Sequence, residues 1–236
     1  MLTPSITPIR LLKDSLRLML LVYINLLFFL IPYIILSLSK FAVSEIAFSL
    51  IYILYYFSLG ILVIGARVFL VYKKLNYEDV TVYDSLRVTI NKFPEIIFLE
   101  VINLLGIITF LLPRLYFVRY LVIIEDLTTA EAIKRCWYMT KGYGWQIFWN
   151  LLTFSFSIRT TLNILSSLIT AFVFGASFWD VNRDASSINQ QVFISYNLIN
   201  ISINFFFSYP LSTVYDMLMF IRILNADKRN LKALIS

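Results

Sequence analysis

Long stretches of this chain carry almost no charge, and that property limits what it can fold into. About 20 consecutive apolar residues reach across about 30 Å of hydrocarbon. Runs of that order occur at 18–38, 46–72, 94–112, 145–174 and 192–221, with a shorter one at 115–124. Hydrophobic residues make up 60% of the 236 and charged residues 14%, against about 45–50% and 25% in an ordinary soluble domain. The mean hydropathy is +0.81. A soluble domain of this length cannot hide so much apolar surface. The runs are continuous rather than alternating, so the expected class is all-α, a transmembrane helical bundle, and not a barrel of lipid-facing strands. Arg10, Lys13 and Arg17 precede the first run. That run is too long for a signal core and no small-residue cleavage site follows, so it reads as an uncleaved span.

Composition also removes whole classes of chemistry. The chain has no histidine and one cysteine, Cys136. Histidine metal sites, histidine bases, Ser-His-Asp triads and internal disulfides are therefore excluded. Six glycines and six prolines argue against a Gly-rich phosphate loop. The net charge of +6 is not gathered on a polar face, as nucleic-acid binding would need. No cofactor, metal site or nucleic-acid partner is expected.

The segment 94–124 admits two readings. It is either one kinked helix, giving five spans, or a hairpin turning at Pro113, giving six. Cytoplasmic loops collect Lys and Arg. With six spans and both termini inside, fifteen basic residues fall on the inner side. They include Lys73, Lys74, Arg67, Lys92, Lys134, Arg135, Lys141 and Arg222. Lys40, Arg114 and Arg183 fall outside. Five spans give an even split, so six are expected, the fourth being short or re-entrant.

An internal repeat supports that plan. Leu11-Leu12-Lys13-Asp14-Ser15-Leu16-Arg17 stands before the first span, and Thr81-Val82-Tyr83-Asp84-Ser85-Leu86-Arg87 before the third. Ala130-Glu131-Ala132-Ile133-Lys134-Arg135 stands before the fifth. The chain reads as three units, each an interfacial amphipathic helix followed by a two-span hairpin. All three amphipathic helices then lie on one membrane face.

Residues 125–149 are the most informative. Thr128 with Glu131 makes a capping box, Glu131 is placed to pair with Arg135 at i, i+4, and Gly142 suits a C-terminal stop. Glu131, Lys134, Arg135, Trp137 and Lys141 belong to the expected interfacial helix, with its charges toward water or phosphates. Trp145 and Trp149 open the next span at the depth of an aromatic belt.

The run Ala132-Ile133-Lys134-Arg135-Cys136-Trp137-Tyr138-Met139-Thr140-Lys141-Gly142, preceded by Arg119-Tyr120 and an apolar stretch, resembles a signature of bacterial membrane proteins. These are the membrane domain of glycerophosphoryl diester phosphodiesterases and the YciC-like uncharacterised integral membrane proteins. Cys136 stands where that family usually has serine. Its closing pattern is echoed imperfectly by Tyr215, Leu218 and Arg222. The resemblance covers about 119–149 and is loose elsewhere. It implies a six-span bundle in the bacterial inner membrane. It implies no reaction, because the catalytic domain of the fused enzymes is a separate soluble barrel.

Arg159 falls near the middle of its span, where a charge costs at least about 2.5–3.5 kcal/mol. With Glu100, Asn163, Asn200 and Asn204 it forms the candidate intramembrane polar site. The functional alternative is an anionic ligand at Arg159; the structural one is a bond to Ser155, Asn163 or backbone carbonyls. Two polar stripes follow helical spacing: Asn150, Thr153, Ser157, Thr160 and Asn197, Asn200, Asn204, Ser208. They line either a hydrophilic path or an interhelical hydrogen-bonded seam. Asp180-Val181-Asn182-Arg183-Asp184 opens like a calcium loop but has Ala185 and Gln191 where Gly and Glu are required, and reads as a solvated loop. Cys136 has no base near it in sequence and reads as packing.

The expected function is that of a non-enzymatic membrane protein, a lipid-associated scaffold or a subunit of a membrane complex. The alternative is a transporter or permease component for a small or lipid-like anionic substrate. Membrane lipids, another membrane protein or a second copy are the expected partners. The expected location is the bacterial inner (plasma) membrane, multi-pass, with both termini cytoplasmic.

Overall fold

In the computed structural model the chain is helical wherever it forms regular structure among the described residues, which are 7–29, 31–39, 44–108, 112–174 and 190–235. The helices are α1 (Pro8–Phe28), α2 (Ile31–Ser39), α3 (Glu45–Tyr55), α4 (Ile61–Leu75), α5 (Val82–Asn91), α6 (Phe93–Ile108), α7 (Leu112–Leu115), α8 (Val118–Ile124), α9 (Thr129–Met139), α10 (Gly144–Phe174), α11 (Gln190–Ile203) and α12 (Tyr209–Ile235). Two of them run through a π-helical turn: α3 into α4 at Tyr56–Gly60, and α11 into α12 at Asn204–Ser208. Among the described residues two continuous helices are long and apolar enough to cross a membrane, Ile46–Leu75 and Gly144–Val173, and less than a fifth of the most apolar window of each is buried within the protein. Their outer faces, with residues such as Leu50, Leu54, Phe156 and Phe172, stand open.

The centre is α12. Val214, Tyr215, Met217, Met219, Phe220 and Ile223 are all fully buried on it. α1 packs along it through Leu11, Ser15, Met19, Val22 and Leu26, a stripe with spacing of three and four residues. α4 meets α12, α5 and α8. The approach of α4 to α5 is so close that a Cβ at Gly65 would run into Thr89 Cγ2. Tyr215 stacks on Phe154 at 4.1 Å, and its hydroxyl donates to Asn150 Oδ1 at 3.1 Å, which fixes α10 to α12.

Several expectations change. The amphipathic segment 11–17 is not a helix separate from the first run. Residues 8–28 form a single helix, and a second helix begins at Ile31. The run 192–221 stays helical through Pro210. A proline clashes with the carbonyl four residues earlier, here Phe206, and the π-turn at Asn204–Ser208 absorbs the misfit. The chain reverses between α6 and α8: Arg119 is ion-paired with Glu100, and Thr129 Oγ1 donates to the Glu95 carbonyl at 3.4 Å. A single helix through 94–124 would hold residues 100 and 119 about 28 Å apart.

Arg114 is also not where the six-span plan puts it. That plan places it across the membrane from α9. The Arg114 guanidinium instead lies 4.3 Å from the Trp137 ring centre, and its carbonyl accepts from Cys136 Sγ at 2.9 Å. The tip of the α6–α8 hairpin therefore sits against α9.

Candidate functional site

The charged residues lie at two levels. The outer level is a rim of ion pairs that join helices to one another and to their flanking loops. Arg222 on α12 pairs with Asp14 on α1. Arg135 on α9 pairs with Asp227 at 2.6 Å and reaches Glu125 at 3.6 Å. Lys92 meets Asp126 at 2.6 Å, and Lys73 and Lys74 hold Glu78 and Asp79 at 2.6 Å. The expected Glu131–Arg135 pair does not form. The Glu131 carboxylate is taken by its own cap, accepting from the Thr128 backbone N–H at 3.0 Å and hydroxyl at 2.7 Å. These bonds hold its carboxyl below its usual range. Arg135 is thereby left for α12.

The repeat is visible in this rim. α5 and α9 both begin in complete capping boxes, Thr81 with Asp84 and Thr128 with Glu131. Thr7, which caps α1, makes no such side-chain bond. The small residue after each acid, Ser15, Ser85 and Ala132, is fully buried. Gly142 closes the α9 segment with φ +86°, a conformation that suits glycine. Lys134 and Lys141 stand exposed, Trp137 partly so, and Trp145 stacks on Phe148 at 5.3 Å on the open surface. Cys136 is buried. Burial pushes its thiol up to about 12, so it is neither a nucleophile nor a soft ligand at neutral pH.

The inner level surrounds a cavity of about 360 Å³ between α4, α6, α8 and α12, lined among others by Arg67, Glu100, Arg119, Tyr116 and Asp216. Arg67 stands six residues before Lys73, Arg119 six before Glu125, and Asp216 six before Arg222. Each is about 9 Å along its helix from the rim. Glu100 is satisfied: Arg119 pairs with one of its oxygens and the Tyr56 hydroxyl donates to the other at 3.1 Å. Asp216 accepts from the Tyr116 hydroxyl at Oδ2, at 2.7 Å. The guanidinium Nε atoms of Arg67 and Arg119 are buried without a hydrogen-bond partner. Among the described residues Arg67 makes no ion pair. A second hollow of about 400 Å³ shares Tyr116, Tyr209, Ser212 and Asp216 with the first and continues past Leu151, Phe154 and Ile158 between α10 and α12.

Of the expected polar site, Glu100 alone lines this cavity. Asn163 is exposed on α10. Asn204 Nδ2 bonds the Asn200 carbonyl and side chain at 2.9 and 2.6 Å along their own helix. Arg159 is carried by α10, and its side chain lies outside the described residues, as does the segment 175–189 with Asp180 and Asp184. The two stripes do not face each other as a lined path: Asn150 is buried, while Thr153, Ser157 and Thr160 are exposed. Arg67, Arg119, Tyr116 and Asp216 were not singled out by sequence. Arg67 was counted with the inner-side basic residues. Its signal was a lone charge inside the apolar run 46–72, six positions before Lys73.

Against known proteins, the chain matches no family model, no curated protein and no solved structure.

Proposed function

We propose that this chain is a non-enzymatic, multi-pass protein of the bacterial inner membrane, both termini cytoplasmic, acting as a lipid-associated scaffold or as a subunit beside another membrane protein. It crosses at 18–38, 46–72, 145–174 and 192–221, while 94–124 enters and returns as a re-entrant hairpin. Re-entrant backbone is tolerated where protein covers it, and α4, α9 and α12 cover this one. With Arg114 returned to the inner side, the outer side keeps Lys40 and Arg183, which sharpens the basic asymmetry. The resemblance over 119–149 points to the same kind of protein.

The rim carries the reading. Ion pairs tie α1, α9 and α12 together at one level, while α3–α4 and α10 present apolar surface outward. That is a body with a charged level suited to one membrane interface and sides suited to lipid or a partner helix. Purification from the native membrane in mild detergent, with mass spectrometry of everything retained, is the test. A stoichiometric protein partner or a tightly held lipid supports it. A chain released from membranes by alkaline carbonate, or one that retains neither, defeats it.

The cavity favours one second reading, a carrier for lipid-like anionic substrates. In proteoliposomes with a fluorescent phospholipid, a carrier raises the fraction quenched by external dithionite, and Arg67→Gln on the cavity wall abolishes that rise while the chain stays inserted. A wild-type protein no faster than empty liposomes removes this reading.

A further inference from the structure

The cavity is more specific than its membrane setting requires. Its nominal charge is zero, with two arginines and two carboxylates, but the four are not two closed pairs. Arg119 and Tyr56 between them engage both oxygens of Glu100, and only the Arg119 Nε is left over. Arg67 and Asp216 remain on the same walls, the first unpaired among the described residues and the second bonded at one oxygen by Tyr116. An arginine withdrawn from water without a carboxylate is strongly unfavourable. A lone anion in the cavity would relieve Arg67 but lie beside the Asp216 carboxylate. A lone cation would do the reverse. A ligand bearing both charges satisfies both walls.

The second hollow supplies the rest of the shape. It shares Asp216 and Ser212 with the cavity and runs on past Leu151, Phe154 and Ile158, with Ser155 and Ser208 also on its walls. A chamber that gathers charged side chains, joined to a largely apolar groove, fits an amphiphile. The depth agrees: about 9 Å inside the charged rim is within the 5–10 Å over which interfacial groups settle at the headgroup and acyl boundary.

We propose that this cavity binds a zwitterionic headgroup bearing a phosphate and a primary ammonium, presented by a phospholipid. The phosphate lies against Arg67, whose planar fork suits it. The ammonium lies against Asp216. The glycerol and the start of an acyl chain follow the groove between α10 and α12. Glu100 and Arg119 hold α6 to α8 and so set the chamber's far wall. The inference rests on the membrane-embedded reading above and adds to it a ligand class.

The test uses the full chain, delipidated in detergent and offered defined lipids, with bound lipid counted by native mass spectrometry. Phosphatidylethanolamine should be retained about tenfold better than phosphatidylglycerol, the scale of one charge-assisted contact. Arg67→Gln should lose retention of both. Asp216→Asn should bring their ratio toward one. Water-soluble O-phosphoethanolamine should compete only weakly, because it cannot use the groove; competition equal to that of the lipid assigns the site to a soluble zwitterion and overturns the lipid source. Equal retention of the two lipids by the wild-type protein overturns the proposal, as does unchanged retention in a folded Arg67→Gln. If that variant fails to fold, wild-type selectivity decides the matter, with Arg67→Lys as the milder substitution. A wild-type chain that stays in the membrane and keeps a protein partner but shows no headgroup preference sinks this inference and leaves the scaffold reading standing.

Discussion

At the scale of single residues, the charged side chains matter through what each one is denied. Glu131 is denied Arg135 because its own helix start claims it, and Arg135 then ties α9 to Asp227. This pattern has a pH consequence. Thr128 and its backbone N–H depress the Glu131 carboxyl below its ordinary value near 4.5, and the Thr81 hydroxyl and backbone N–H depress Asp84 below 3.8. A depressed carboxyl stabilises the fold fully above its unfolded value, and that contribution is lost as pH falls through the folded one. Amide exchange over 129–132 and 82–85 should therefore be protected at neutral pH and accelerate only on acidification below that range, with Thr128→Ala removing the pH step over 129–132. A step centred at or above pH 6 would contradict the assignment. Cys136 gives a second residue-scale prediction. A thiol pushed up to about 12, buried and donating to the Arg114 carbonyl, should resist maleimide at pH 7.5 and label fully once the chain is unfolded. Serine can make the same bond, so Cys136→Ser should fold. The capping box and the buried face of α9 were legible in sequence because both are local. The fate of Arg135 was not, because its partner lies 92 positions downstream.

At the scale of elements, the runs of apolar residues announced helices, and helices formed. Their breaks and joins were less legible. Pro210 lies inside a helical stretch that continues through it, because the π-turn at Asn204–Ser208 precedes the ring. Sequence gives no local mark for that turn. The α4–α5 contact is a further case of a tertiary demand hidden in one letter. Gly65 lies inside an α-helix, where glycine is unfavourable by about 1 kcal/mol relative to alanine, and its reason is Thr89 on the neighbouring helix. Gly65→Ala should therefore destabilise, although alanine is the better helix former, and Gly65→Val should do so by roughly 1–3 kcal/mol. Thermal melting in detergent reads the effect. Thr89→Ser removes the obstructing methyl but keeps a hydroxyl for the Ser85 carbonyl, so it should restore much of the loss in the Gly65→Ala background. No rescue would mean that the two helices meet elsewhere.

At the scale of the whole molecule, the question is which parts lie on which side of the membrane, and here the counting of basic residues and the packing disagree about one arginine. The count left Arg114 outside because a hairpin of two spans must have a far end. The packing places its guanidinium on Trp137 and its chain beside Gly144, where α10 begins. α9 begins beside the Lys92–Asp126 pair, close to the basic residues that the charge count assigns to the inner face. Residue 114 cannot lie on the far side of about 30 Å of hydrocarbon and also touch that segment. Sequence missed this because 94–124 has the hydropathy of a hairpin that crosses, and hydropathy does not record depth. The prediction is direct. Single cysteines are introduced at 114, 141 and 183 in the Cys136→Ser background and probed with a membrane-impermeant maleimide in right-side-out and inverted vesicles. Positions 114 and 141 should label from the same, cytoplasmic, side and 183 from the other. Labelling of 114 together with 183 would restore two full crossings between 94 and 124. It would also separate Arg119 and Glu100 from the rim by a different depth, and with that the chamber around Arg67 would no longer face the inner leaflet.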